Sequence, residues 1–155
     1  PTVGKCICQA VSRAEPPVDP LNGIVSFGTR FTAAAAYTAH EAIGGAHNAP
    51  APVDFLCAAL ASCQHMTMGI AAAVLRIKLT VLEIQVDAES DVRGNLGIAD
   101  LPPDLVSLRC TVRLRTAEGT APAQIEQLIT RAEQMCIVLR ALRRAVPVDY
   151  RVEEF

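Results

Sequence analysis

One stretch of this chain limits its folding choices more than any other. From Val53 to Ile77 there is no internal proline and a single glycine, Gly69, in a run rich in Ala, Leu and Met. These are strong helix formers, and the stretch is predicted to be one long helix. Pro52, which closes the loop that starts at Gly44, suits its first turn, where a missing backbone N–H costs nothing. The apolar length is compatible with a membrane span, but Gln64 and His65 interrupt its centre and no aromatic belt flanks it. A helix apolar nearly all round more often lies in a protein core or an oligomer interface, so no membrane association is expected.

The rest of the pattern arranges itself around that helix. Thr80 to Val92 alternates, with Leu82, Ile84, Val86 and Ala88 against Glu83, Gln85, Asp87 and Glu89, which is the signature of a half-buried strand. After the loop from Arg93 to Pro103 the signature returns in Val106, Leu108, Cys110, Val112 and Leu114, predicting an antiparallel sheet with one wet face. Upstream, Val3 to Val11 alternates weakly, a turn-rich segment follows to Gly23, and Ile24 to Tyr37 reads as one or two further strands. Pro122 opens a second helix with Ile125, Leu128, Ile129 and Ala132 at helical spacing. That period carries on to Cys136 and Leu139 and turns Cys136 toward the core. The segment Val146 to Val152 reads as a closing strand, with Pro147 at an edge or at its start. Strands, long helix, strands, helix and strand give an α+β class in a single domain spanning 1–155.

Composition removes several functions. With 51% hydrophobic but only 4% aromatic residues and no Trp, the core is aliphatic. A formal charge of -2 leaves no chain-wide footprint for nucleic acid, and the one basic cluster, Arg140, Arg143 and Arg144, falls late in a helix where cations complement the dipole. No Lys/Arg-led secretory segment precedes the first strand-like residues, so a cytoplasmic location with reduced cysteines is expected. Cys6, Cys8, Cys57, Cys63, Cys110 and Cys136 are scattered through hydrophobic elements, and most read as small buried hydrophobes. His40, His47 and His65 lack HExxH or CxxC companions, the Cys6/Cys8 spacing rarely binds metal alone, and Gly44-Gly45 lacks the Lys and Ser/Thr of a phosphate loop. No metal, nucleotide or other cofactor is expected.

The block Gly44-Gly45, followed by Ala49 to Met66 with Cys63 near its end, resembles the signature of the OsmC/Ohr family, in which a proline-led helix carries the first active cysteine. The Arg93 to Gly97 loop, the segment Met135 to Leu139 around Cys136, and Pro147-Val148 resemble later landmarks in the same order. The resemblance covers most of the chain from Gly44 onward. It implies an OsmC-like fold, with antiparallel sheets around a long buried central helix, in an intertwined homodimer. It also implies thiol-dependent reduction of organic hydroperoxides, in which Cys63 forms a sulfenic acid and Cys136 resolves it as a disulfide. A dithiol reductant, in this family often a lipoylated protein, restores both thiols.

Cys63 lies well inside its helix, whereas the helix dipole acts mainly within the first turn, so the helix alone does not activate it. A peroxidatic cysteine in an apolar setting needs a nearby cation. The family supplies an arginine from the N-terminal strands, for which Arg13 is the first candidate and Arg30 the second, and a carboxylate near the helix start. Asp54 is the candidate carboxylate, although it falls one position after the family's glutamate, where this chain has Val53. Nine residues at ~100° each put Asp54 on the side opposite Cys63 and about 13 Å away, so it serves that thiol only through a helix break or from a partner subunit. Ala59, Leu60, Met66, Thr67 and Ile70 share the face of Cys63, a greasy surface suited to bulky substrates or to ordinary packing. Cys57 reads as structural, and His65 follows Cys63 too closely to face the same way. Two other functions stay open: binding or sensing a hydrophobic ligand at the same dimeric pocket without peroxidase activity, and other thiol chemistry at Cys63.

Overall fold

The two long helices begin alike, with Ala-Pro-x-Asp in one and Ala-Pro-x-Gln in the other. Helix α1 spans Pro52–Leu75 and helix α3 spans Pro122–Met135. In each, proline takes the first helical position and an acceptor two residues on reaches back to the preceding alanine's N–H. Asp54 Oδ2 accepts from Ala51 N at 2.7 Å, and Gln124 Oε1 accepts from Ala121 N at 3.1 Å. Each contact satisfies a donor that would otherwise be orphaned at a helix start.

The computed structural model describes residues 6–13, 19–29, 32–144 and 146–152. Strands β1 (Ala10–Arg13), β2 (Asn22–Phe27) and β3 (Ala33–Thr38) form a three-stranded antiparallel sheet in the order β1-β2-β3. Its register pairs Arg13 with Ile24, Ala10 with Phe27, and Gly23 with Tyr37. Strands β4 (Leu79–Ser90) and β5 (Leu105–Thr116) form the second sheet. Their antiparallel sense follows from Glu83 meeting Arg113 while Glu89 meets Ser107. A short helix α2 (Val92–Asn95) lies in the loop between them, and α4 (Ile137–Arg143) follows α3. The result is the expected α+β arrangement of antiparallel sheets and a long central helix.

By contact density the chain divides into two units, Pro1–Leu56 with Ser90–Val106, and Cys57–Glu89 with Ser107–Phe155. The second holds the core: Met68, Ala71, Ala72 and Ile77 pack with Leu128 and Ala132, flanked by Leu75, Leu79, Leu82, Val112 and Leu114. The alternation read in β4 is present, since Leu82, Ile84, Val86 and Ala88 are half-buried and the residues between them exposed. Helix α1 is long and apolar enough to cross a membrane. Its buried residues nevertheless pack on protein.

Three expectations need correction. The second helix does not run through Cys136 to Leu139; it stops at Met135, and α4 restarts at Ile137. Residues 146–152 are not a strand, and Val148 and Tyr150 are 84% and 86% exposed, because no edge among the described residues pairs with them. Of the weak Val3 to Val11 alternation only the end enters a strand, and residues 1–5 lie outside the described residues. A strand forms where a partner accepts its hydrogen bonds, and local alternation does not supply one. The converse holds in β3, whose Ala33 to Ala36 favour a helix by propensity but pair along β2.

In the first unit, two adjacent glycines have separate reasons. A 3-10 turn, Glu41–Ile43, is capped by His40, whose Nδ1 accepts from Ala42 N at 3.1 Å, and ends at Gly44 with φ 85°. Gly45 passes so close to Ala39 that an added Cβ would stand 1.8 Å from its carbonyl oxygen. Backbone has nowhere to move there. Gly69, exposed on α1, meets nothing within 4 Å. Gly45→Ala is therefore expected to lower stability by about 1–3 kcal/mol, whereas Gly69→Ala raises that of the isolated chain by up to about 1 kcal/mol, both read by urea denaturation.

Candidate active site

The core contact between α1 and α3 decides where two cysteines meet. Cys63 lies about one turn before Thr67, the neighbour of Met68, on α1 and is half-buried. Thr67 Oγ1 donates to the Cys63 carbonyl at 3.0 Å and to that of Gln64 at 3.1 Å, which keeps this hydroxyl satisfied inside the helix. Cys136, four residues beyond Ala132, is fully buried at 0% exposure.

Cys136 is also the joint between two helices. Its backbone is extended, φ -72° and ψ 104°, and its N–H still closes the last turn of α3 onto the Ala132 carbonyl at 3.1 Å. Its Sγ accepts from Leu139 N at 3.5 Å, so the thiol caps the start of α4. Sulfur thus does here what a serine or aspartate oxygen does at an ordinary helix start.

The two thiols interact. Burial is the main cause that pushes the Cys136 thiol above its ordinary value of 9.0; the Leu139 N–H acts in the opposite direction, and a hydrogen bond with the Cys63 thiol raises it again. Cys136 therefore keeps its proton at neutral pH. Cys110 on β5 is raised too, by burial alone.

The other candidates fare differently. Asp54 is exposed, and its carboxylate is engaged by Ala51 N in the first turn of α1. The Arg13 backbone is placed in β1 opposite Ile24, while its side chain and the whole of Arg30 lie outside the described residues. His65 is exposed on α1. His40 and His47 stack as a tilted pair, ring centroids 4.3 Å apart. In the loop that carries Arg93, Asp91 caps α2 through Arg93 N and binds the Arg93 guanidinium at 2.6 Å, which holds its carboxyl at about 2. Gly94 is required there because a Cβ would stand 2.6 Å from the Pro102 carbonyl.

Sequence reasoning missed two participants. One is the Leu139 backbone N–H, visible only once the helix breaks. The other is Gln64, read merely as an interruption of an apolar run. It is 4% exposed, and its Oε1 has no hydrogen-bond partner among the described residues. The one available signal was a polar residue at a core position of the helix that carries Cys63.

Comparison with known proteins bears on this geometry. The sequence model for OsmC-like protein matches residues 44–151. No curated protein matches the chain by sequence. Among solved structures, an organic hydroperoxide resistance protein from Elizabethkingia anophelis is similar at 15% identity and a TM-score of 0.67, over 91% of each chain. An organic hydroperoxide resistance protein OsmC from Legionella pneumophila is similar at 17% identity and 0.64, over 89% of this chain and 90% of its own. An OsmC-like protein of unknown function from Vibrio cholerae gives 12% identity and 0.64, over 88% and 94%. At such identities the structural likeness speaks for the fold.

The raised thiols carry a pH dependence. Above 9.0 the unfolded chain gives up these protons before the folded one does, so stability falls as pH rises. The contribution is complete below that pH and is lost as pH climbs through the raised folded values. Urea unfolding at stepped pH is expected to show this decline above about pH 9, and Cys136→Ala is expected to make it shallower.

Proposed function

Since the chain belongs to the OsmC-like protein family, we propose that it is a cysteine-based peroxidase that reduces organic hydroperoxides, with Cys63 as nucleophile and Cys136 as resolving thiol. The observation that carries this reading is the interaction of these two thiols, one on α1 and one at the α3–α4 joint. Two of the structurally similar proteins are organic hydroperoxide resistance proteins, which agrees with it and with a place in the oxidative stress response.

The chemistry follows from the state of each sulfur. The Cys63 thiolate attacks the outer peroxide oxygen, the O–O bond breaks, and the alkoxide leaves as an alcohol after taking a proton. Cys63 is then a sulfenic acid beside a protonated Cys136. Cys136 sulfur attacks the Cys63 sulfur, its proton leaves with the hydroxyl as water, and a disulfide remains. A dithiol reductant, lipoylated or small, reopens it through a mixed disulfide. Holding Cys136 protonated keeps it from competing for peroxide. The cation that supports the Cys63 thiolate is assigned to Arg13, with Arg30 as the alternative, and no metal or cofactor is invoked.

Residues 1–155 act in this reading as one domain of a cytoplasmic homodimer. The support for a dimer is the outer face of α1, where Met66, Ile70 and Val74 are 58%, 44% and 55% exposed alongside Gly69. Asp54 reaches a Cys63 site only as a residue of the second subunit. A second reading, binding or sensing of a hydrophobic ligand without turnover, is favoured by the Asp54 carboxylate being engaged in helix capping while Val53 takes the family glutamate's place.

With cumene hydroperoxide and dihydrolipoamide, the wild-type chain is expected to turn over, Cys63→Ser to be inactive, and Cys136→Ser to consume one peroxide per chain and stop. Thiols that stay reduced under excess hydroperoxide, by mass spectrometry, would sink the peroxidase reading and leave ligand binding. Met66→Arg is expected to shift the protein from dimer to monomer in sedimentation velocity.

A further inference from the structure

A cavity of about 470 Å³ lies within the second unit, away from the outer face of α1. Leu60 and Gln64 of α1, Cys110 and Val112 of β5, and Leu139 and Leu142 of α4 line most of it. Its size falls within the roughly 300–1,000 Å³ of small-molecule sites. Its walls are mainly aliphatic, which sets the general character of an occupant.

Two polar features narrow the choice. Glu133 and Arg143 also line the cavity, but they pair with each other at 2.5 Å, so neither charge calls for a counter-ion from a ligand. Gln64 is different. Its side chain is 96% buried by its 4% exposure, and its Oε1 meets no donor among the described residues. A buried carbonyl left unpaired forfeits its hydration, and a molecule that brings a donor removes that penalty while its apolar body fills the cavity.

We infer that this cavity is a binding site for an uncharged, mainly aliphatic molecule bearing a hydroxyl, oriented by donation from that hydroxyl to Gln64 Oε1. The site is built within one chain and does not use the Cys63 thiol, so it stands apart from the peroxidase reading and either can fail alone. Gln64 confers specificity here by discriminating between a donor and a non-donor of equal size. An unpaired polar atom rejects such an isostere far better than an aliphatic wall does.

The test compares n-octanol with heptyl methyl ether, which match in size but differ in the O–H. Binding to the full chain is followed by methyl NMR and by protection of the half-buried Cys110 from N-ethylmaleimide, read by mass spectrometry. In the wild-type protein octanol is expected to bind roughly tenfold more tightly than the ether and to slow alkylation of Cys110. Gln64→Leu is expected to abolish the preference while retaining the ether, and Val112→Phe, which fills the cavity, to lose both. Cys63→Ser is expected to bind octanol as the wild type does, whatever becomes of peroxide turnover. Equal affinity for the two probes in the wild-type protein, the outcome if Gln64 is satisfied by water only, overturns the inference, as does octanol binding that leaves Cys110 unprotected. The wild-type comparison decides the matter even if a variant fails to fold.

Discussion

Ala71, Ala72 and Ala132 carry no side chain beyond a methyl group, so α1 and α3 can approach closely, and Met68 and Leu128 fill the space that remains. All five are 4% exposed or less. In a core without tryptophan such close helix packing supplies dispersion contacts that large rings provide elsewhere. It also fixes an alignment: Cys63 stands just ahead of Thr67 and Met68 on one helix, and Cys136 just past Ala132 on the other. The thiol pair is a consequence of that alignment. A shift of one helical turn in either partner would carry a sulfur about 5.4 Å along its axis and part them.

The break at Cys136 serves the same geometry. If α3 continued through Ile137, the Cys136 sulfur would be one more side chain on a helix face. Instead its extended backbone lets the N–H finish α3 while the sulfur starts α4. One residue thus has three duties: it ends one helix, caps the next and meets Cys63. Full burial and the Cys63 hydrogen bond hold its proton, against the pull of the Leu139 N–H. The same burial leaves Gln64, one residue beyond Cys63, with an amide oxygen in an aliphatic cavity and no donor among the described residues.

Much of this was legible beforehand, for reasons that are local. Proline at the first helical position announces α1 and α3, and strict alternation announces β4 and β5, because both signals act within a few residues. Asp54 was legible as a residue but not as a role: its fit to Ala51 N is a matter of helix-start geometry. The closing strand expected at Val146 to Val152 failed because alternation reports a face and not a neighbour. The strand read across Ile24 to Tyr37 holds even at Ala33 to Ala36, whose propensity favours helix, because β2 is there to pair with.

The sequence by itself determined the α+β class and the long central helix, since helical and strand periods are written in nearest neighbours, while the resemblance to the family signature singled out Cys63. It also held the family signature from Gly44 onward. Only the tertiary structure decided that Cys136 interrupts a helix, that its sulfur meets Cys63, and that Gln64 faces a cavity with no partner among the described residues. Those outcomes depend on how side chains distant in sequence fill space together, and no local period encodes that.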